Sequence, residues 1–279
     1  CSSHVEGTAI FVSYAFYNKG LEAPRNLRFF LKHGVRKSDI FDIEYGIVVK
    51  GPCECMECSD PGRFLEDSRD RMLITIRNES NQGFDFGAHA SMLNYLESEK
   101  RLTYDYYIFL NCGVVGPIVP SYMPPSWHWA SAFVDKMKHR VGLVSTSIVC
   151  LPSKDRGGYG PKVEGFAFSL SAKALNVVRT NGTSFRQHPT KIHAILHGEF
   201  ALTKTVMSHN IGIDCLLLAY QGIDWFKPSE WRCNNNKYPS RETFYHGMSI
   251  FPLEVIFHKE WWRRKGSVML NHTERYIQW

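Results

Sequence analysis

Residues 78–88 read Asn-Glu-Ser-Asn-Gln-Gly-Phe-Asp-Phe-Gly-Ala, a polar, glycine-bearing run that leads into an apolar helical pattern. Asn81 and Gly83 can supply backbone donors and unusual φ angles. The helix start beyond them can receive a phosphate or another polar ligand group. Asp85 has two jobs open to it: capping that helix, or presenting its carboxylate to sugar hydroxyls or a base. Glu199, in His197-Gly198-Glu199-Phe200, opens another predicted helix. A first-turn carboxylate is favoured there by the helix dipole, and it is equally placed to take a proton from a hydroxyl. Asp224-Trp225 pairs a carboxylate with an indole, a combination that can hold a sugar by its hydroxyls and its CH face. Asp214 precedes an apolar run and reads as structural.

Other chemistries lack their motifs. No G-x-G-x-x-G follows the first strand and no G-x-x-x-x-G-K-[ST] occurs, which demotes nicotinamide enzymes and P-loop NTPases. No G-x-S-x-G marks a serine hydrolase. Among 12 histidines, His193 and His197 stand at i and i+4, but without H-E-x-x-H or a third ligand. The cysteine cluster Cys53, Cys55 and Cys58 lacks a fourth zinc ligand, so it reads as a surface loop, disulfide-linked in an oxidising compartment. Cys112, Cys150 and Cys215 lie in or beside apolar runs and read as buried small hydrophobes.

The elements that must position these residues follow from patterning. Strands are expected at 8–17, 43–49, 72–77, 105–110 and 141–145, and helices at 25–32, 86–98 and 127–139. Residues 52–60 and 111–125 read as loops. Such β-α alternation predicts an α/β fold with a doubly wound, mostly parallel central sheet. Ligands of such sheets bind at the carboxyl ends of the strands, which here means the loops after Tyr17, Gly51, Arg77 and Leu110. Beyond residue 150 the pattern is looser: strands at 166–170 and 213–218, helices at 172–179 and 192–209, and an extended loop over 225–245. The simplest organisation is one domain over 1–279, with a first half at 1–145 and an elaborated half at 146–279.

The chain of 279 residues is 44% hydrophobic and 14% aromatic, which is globular composition. No apolar run approaches a bilayer span and no signal peptide is visible. Net charge is +6, with small basic patches at 136–140 and 261–265. That balance suits a phosphate-bearing small ligand and does not form the stripe a nucleic-acid polymer needs. Sequons at Asn78, Asn181 and Asn271 leave the compartment open between secretory lumen and cytoplasm.

Residues 77–88 resemble the N-x-G-x-D-x-G-A segment of GT-A-fold glycosyltransferases and their rhamnan-synthesis-type relatives. Residues 104–113 are similar to the strand that ends in the metal-binding D-x-D of that fold. Residues 163–169 look like the strand that frames the acceptor, and 197–200 like the region that supplies the base of inverting members. His258 matches the fold's C-terminal histidine, a metal ligand. The resemblance, in order through most of the chain, implies a Rossmann-like sheet and transfer from a nucleotide diphosphate sugar, with a UDP-sugar as the guess, to a glycan acceptor hydroxyl. It implies Tyr14, Asn81, Gly83, Asp85 and Asn111 around the donor, Glu199 as base, and Asp224 and Trp225 toward the acceptor. The alternative is a glycan-binding module that kept the fold and lost catalysis. One departure stands out: D-x-D is replaced by Asn111-Cys112-Gly113, which has no carboxylate. A divalent Mn or Mg is then bound by other groups, or it is absent and Lys162, Arg156 or Lys259 neutralises the departing diphosphate.

Overall fold

The structure is a computed structural model that describes residues 7–259, apart from 19, 66–72, 79, 100, 102, 232–237 and 242. The basic patch at 261–265 and the sequon at Asn271 lie outside the described residues. No described helix is long and apolar enough to cross a membrane.

Strand β1 (Thr8–Tyr17) is buried on both faces because a helix covers each one. Helix α1 (Glu22–His33) packs on one side, where Phe30 stacks on Tyr14 with ring centroids 4.9 Å apart. Strand β2 (Phe41–Lys50) pairs parallel with β1, and β3 (Leu73–Asn78) pairs parallel with β2. Between them lies a short helix, α2 (Met56–Ser59), inside the span expected as loop. Helix α3 (Phe84–Ser98) covers the other face: Ser13 Oγ and His89 Nδ1 share a 2.8 Å hydrogen bond, and Gly46 lies against Met92. Strand β4 (Tyr106–Asn111) pairs parallel with β1 on its other edge.

The expected helix over 127–139 is only one turn, α4 (Ser131–Val134). Its neighbours bury Trp129 and Phe133, and the Trp129 indole donates to the Gly34 carbonyl at 2.8 Å. His139, at φ 56°, then turns the chain directly into β6 (Val141–Ser145). Between β4 and α4 the short β5 (Val114–Val115) interrupts the expected loop.

The second half holds the main departure. A hairpin, β7 (Ile148–Leu151) with β8 (Gly160–Val163), projects beyond the end of β6. It hands the chain to β9 (Ala167–Ser171) through residues 164–166. The hairpin brings the chain back to the edge at which β6 ended, so it re-enters the sheet there in the opposite direction. β9 therefore runs antiparallel to both β4 and β6. Helix α5 (Ala172–Asn181) follows, capped by the Ser171 hydroxyl. The helix expected over 192–209 is three pieces: α6 (Lys191–His193), a π-helical turn (Ala194–Glu199) and α7 (Phe200–Ser208). Strand β10 (Gly212–Cys215) closes the far edge. The chain then runs through α8 (Pro252–Val255) to β11 (His258–Lys259), which pairs antiparallel with β5.

The result is a mostly parallel seven-stranded α/β sheet of Rossmann-like type, ordered β10-β6-β9-β4-β1-β2-β3. Cys53 and Cys58 form a disulfide. Cys215 is a buried thiol, and Cys112 a half-buried thiol whose Sγ lies 3.5 Å from the Tyr17 carbonyl. Cys150 departs from its expected role: it is buried but disulfide-bonded.

Candidate active site

The carboxyl ends of β1 and β4 and the head of α3 meet at one edge of the sheet. Gly83 precedes α3 at φ 83°, a left-handed conformation that favours glycine. A Cβ there would lie 2.1 Å from Gln187 Oε1, so the backbone approaches the loop before α6 closely. No side chain caps the N-terminus of α3. Asp85 does not serve as a cap; it receives a hydrogen bond from Asn111 Nδ2 at 2.7 Å. Asn111 is fixed on both sides, since its Oδ1 accepts from the Gly113 N–H at 2.9 Å and its backbone N–H donates to the Phe166 carbonyl at 3.0 Å.

The reversal of the chain at 164–166 brings a second group of residues to the same edge. Gly165 N–H donates to Glu199 Oε1 at 3.0 Å. A Cβ on Gly165 would lie 3.0 Å from Glu199 Cγ, so the small residue lets the carboxylate close on the backbone. The adjacent Glu164 is held by the Ser147 hydroxyl at 2.5 Å and the Ser240 hydroxyl at 2.6 Å. β11 then carries Lys259 in from the far end of the chain, with its ammonium 4.1 Å from the Phe166 ring centre.

The electrostatics tie these groups together. Burial pushes Glu199 up to about 7; Lys259 and the Gly165 N–H oppose that rise, while Glu164 and Asp85 add to it. Burial likewise raises Asp85, against the Asn111 hydrogen bond and the charges of Lys259 and Lys191. Burial lowers Lys259, although Glu164, Glu199 and Asp85 all favour its ammonium. A carboxyl group balanced near neutrality beside a confined ammonium can accept a proton, and the ammonium can steady a developing anion.

Asn81 is half-buried and Gly83 buried at the head of α3. Tyr14 lies behind the edge rather than on it: its ring is in the core against Phe30, and its buried hydroxyl has no hydrogen-bond partner among the described residues. Burial, Cys112 and Asp85 hold that phenol well above its ordinary pKa. Asp224 and Trp225 do not join the cluster. Asp224 pairs with Arg140 at 2.9 Å and Lys227 at 3.7 Å. Trp225 is 2% exposed and packs on Tyr220, so its indole offers no open face to a sugar. Asp214 pairs with Lys136 at 3.4 Å, as its structural reading expects. The His193 and His197 rings lie tilted against each other with centroids 4.3 Å apart, and His188 Nδ1 lies 2.9 Å from His193 Nδ1.

The donor set does not fit a divalent cation. Asn111 offers one carbonyl oxygen, already engaged by Gly113, and turns its amide N–H toward Asp85. The Lys259 ammonium already lies in the field of Asp85, Glu164 and Glu199, where a metal ion would otherwise sit. His258 is buried, with its Nε2 3.1 Å from the Ile250 carbonyl. Among the described residues no group of three or more His, Cys, Asp or Glu side chains could hold a metal ion. Glu164 and Gly165 lie in the 163–169 segment likened above to an acceptor-framing strand, but their contacts with Ser147, Ser240 and Glu199 were not legible, because only the reversal into β9 brings them to this edge.

No family model and no curated protein matches the sequence. Among solved structures, the chain is similar to the mannosyltransferase PcManGT from Pyrobaculum calidifontis, solved in complex with GDP-Man and Mn2+. Identity is 15% and the TM-score 0.47, and the match covers 74% of this chain and 54% of that one.

Proposed function

We propose that this chain is a glycosyltransferase that moves a sugar from a nucleotide diphosphate sugar to a hydroxyl of a glycan acceptor, with inversion. One observation carries the reading. Glu199, at about 7, shares the carboxyl edge of the parallel strands with Asp85, Asn111 and Lys259. Ligands of open α/β sheets bind at that edge, and a base poised near neutrality suits deprotonation of a sugar hydroxyl.

Glu199 takes the acceptor proton as the acceptor oxygen bonds to the anomeric carbon. The bond from that carbon to the diphosphate oxygen breaks, and the electron pair leaves with the diphosphate. Lys259 faces the charge that builds on the leaving group. Asp85, oriented by Asn111, accepts hydrogen bonds from the donor sugar's hydroxyls.

The test is a panel of nucleotide sugars assayed for nucleoside diphosphate release, with and without EDTA. Turnover of one donor is expected, and EDTA is expected to leave it unchanged. Glu199→Gln should keep donor binding and lose about 10²–10⁴-fold in turnover, the range of general-base catalysis. Asp85→Ala should lose donor binding. A Glu199→Gln chain with wild-type turnover would remove the assignment.

A further inference from the structure

The sequons at Asn78 and Asn181 both fall on described residues, and they differ in what holds the amide nitrogen, the atom to which an N-linked glycan is joined. Asn78 is half-buried as the last residue of β3. Its carbonyl accepts from the Gly51 N–H at 2.8 Å, and its Nδ2 donates to Ser91 Oγ of α3 at 3.2 Å. A saccharide on that nitrogen would have to grow into the contact between β3 and α3. Asn181 is the last residue of α5 and is exposed. Its Oδ1 accepts from the Thr183 hydroxyl at 2.6 Å and lies 3.5 Å from Thr205 Oγ1. Its Nδ2 has no partner among the described residues. Gly182, at φ 70°, ends the helix and turns the chain away. The oxygen of Asn181 is thus tied down while its nitrogen is left to solvent.

A sequon is used only in the lumen of the secretory pathway, and the cysteines report on that compartment. Cys53 and Cys58 form a disulfide, and Cys150 is disulfide-bonded. Disulfides persist in lumenal and secreted proteins and are rare in the reducing cytosol. The described thiols, Cys55, Cys112 and Cys215, are half-buried or buried. Burial raises Cys55 and Cys215, which keeps both from the reactive thiolate in an oxidising medium. We propose that the chain matures in an oxidising secretory lumen and carries an N-linked glycan at Asn181 and none at Asn78. The glycan is rooted away from the catalytic carboxylate. Thr205, its neighbour on α7, lies six residues beyond Glu199, about 9 Å along the axis at a rise of about 1.5 Å per residue. The inference does not depend on the donor reading.

Peptide mapping of the chain isolated from its own cells tests it. The N-glycans are removed in heavy-oxygen water by the amidase that converts glycosylated Asn to Asp. Heavy oxygen separates that conversion from earlier spontaneous deamidation at Asn181-Gly182. Asn181 should take up the label and Asn78 should not. Alkylation before reduction should leave Cys53 and Cys58 unlabelled. In chain secreted from a eukaryotic host, Asn181→Gln and Thr183→Ala should lose the glycan, while Thr183→Ser keeps the sequon and should keep it. A bare Asn181 in the native chain, or a glycan at Asn78, overturns the assignment. Cys53 and Cys58 recovered as alkylated thiols overturn the oxidising compartment.

Discussion

Glu199 carries a pH signature that a buried structural carboxylate would not. Its ordinary value of 4.5 is raised to about 7, with burial the largest cause. As the base it must be ionised, so kcat should fall tenfold per unit below about pH 7 and level off above it. The same shift acts on stability with a fixed sign. The folded chain holds this proton more tightly than the unfolded chain does. The stabilisation is fully present below about 4.5 and is lost as pH rises through about 7. Glu199→Gln carries no ionisable group, so its stability relative to wild type should increase between pH 5 and pH 8. The gain should be on the order of 2 kcal/mol, allowing for partial exposure of the carboxylate. Thermal melts at the two pH values check it, and a pH-independent difference would show that Glu199 is not perturbed. Nothing in His197-Gly198-Glu199-Phe200 predicts this value. The sequence places a first-turn Glu, but the neighbours that shift it come from positions 85, 164, 165 and 259.

Local elements were legible where one physical signal dominated. The β-branched and aromatic run of β1 gives the strand its observed bounds, and Pro24 with His33-Gly34 marks the helix expected over 25–32 and found over Glu22–His33. The signal failed where tertiary packing outweighed periodicity. Trp129 and Phe133 look like one face of a longer helix, yet both are drawn into the core by a single turn. The helix expected over 192–209 contains a π turn that ends at Glu199, and such turns recur at functional sites. The head of α3 is the element whose geometry a substitution can test. Gly83→Ala would force a Cβ into the left-handed region and to within 2.1 Å of Gln187 Oε1 and 2.9 Å of Gln187 Cα. The expected cost is about 1–3 kcal/mol of stability, read as a lowered Tm. Donor affinity should fall as well, because α3 carries Asp85 toward Asn111. A Gly83→Ala chain with wild-type Tm and donor affinity would mean that the close approach to Gln187 is easily relieved.

Across the whole molecule, the cluster is assembled from α3, β4, the β8–β9 turn, the π turn and β11. The parallel carboxyl edge was foreseeable from β-α alternation, and with it Asp85 and Asn111, which lie on consecutive elements of the regular half. Glu199 was also named from the sequence, but its convergence with Glu164, Gly165 and Lys259 was not, because one antiparallel strand and one two-residue strand late in the chain deliver those three. Lys259 is the clearest case: in sequence it is one of several candidate cations, and only the β5–β11 pairing sets it beside the three carboxylates. Its charge opposes the upward shift of Glu199, so removing it should move the acid limb of the pH–rate profile to higher pH. Lys259→Met should therefore show a displaced limb together with weaker donor binding, since the counter-charge for the diphosphate is lost. Adding manganese or magnesium should not restore either property, because Asn111 offers no carboxylate to hold the ion. A limb left in place would show that Lys259 does not act on Glu199, and rescue by either ion would return charge neutralisation to a metal.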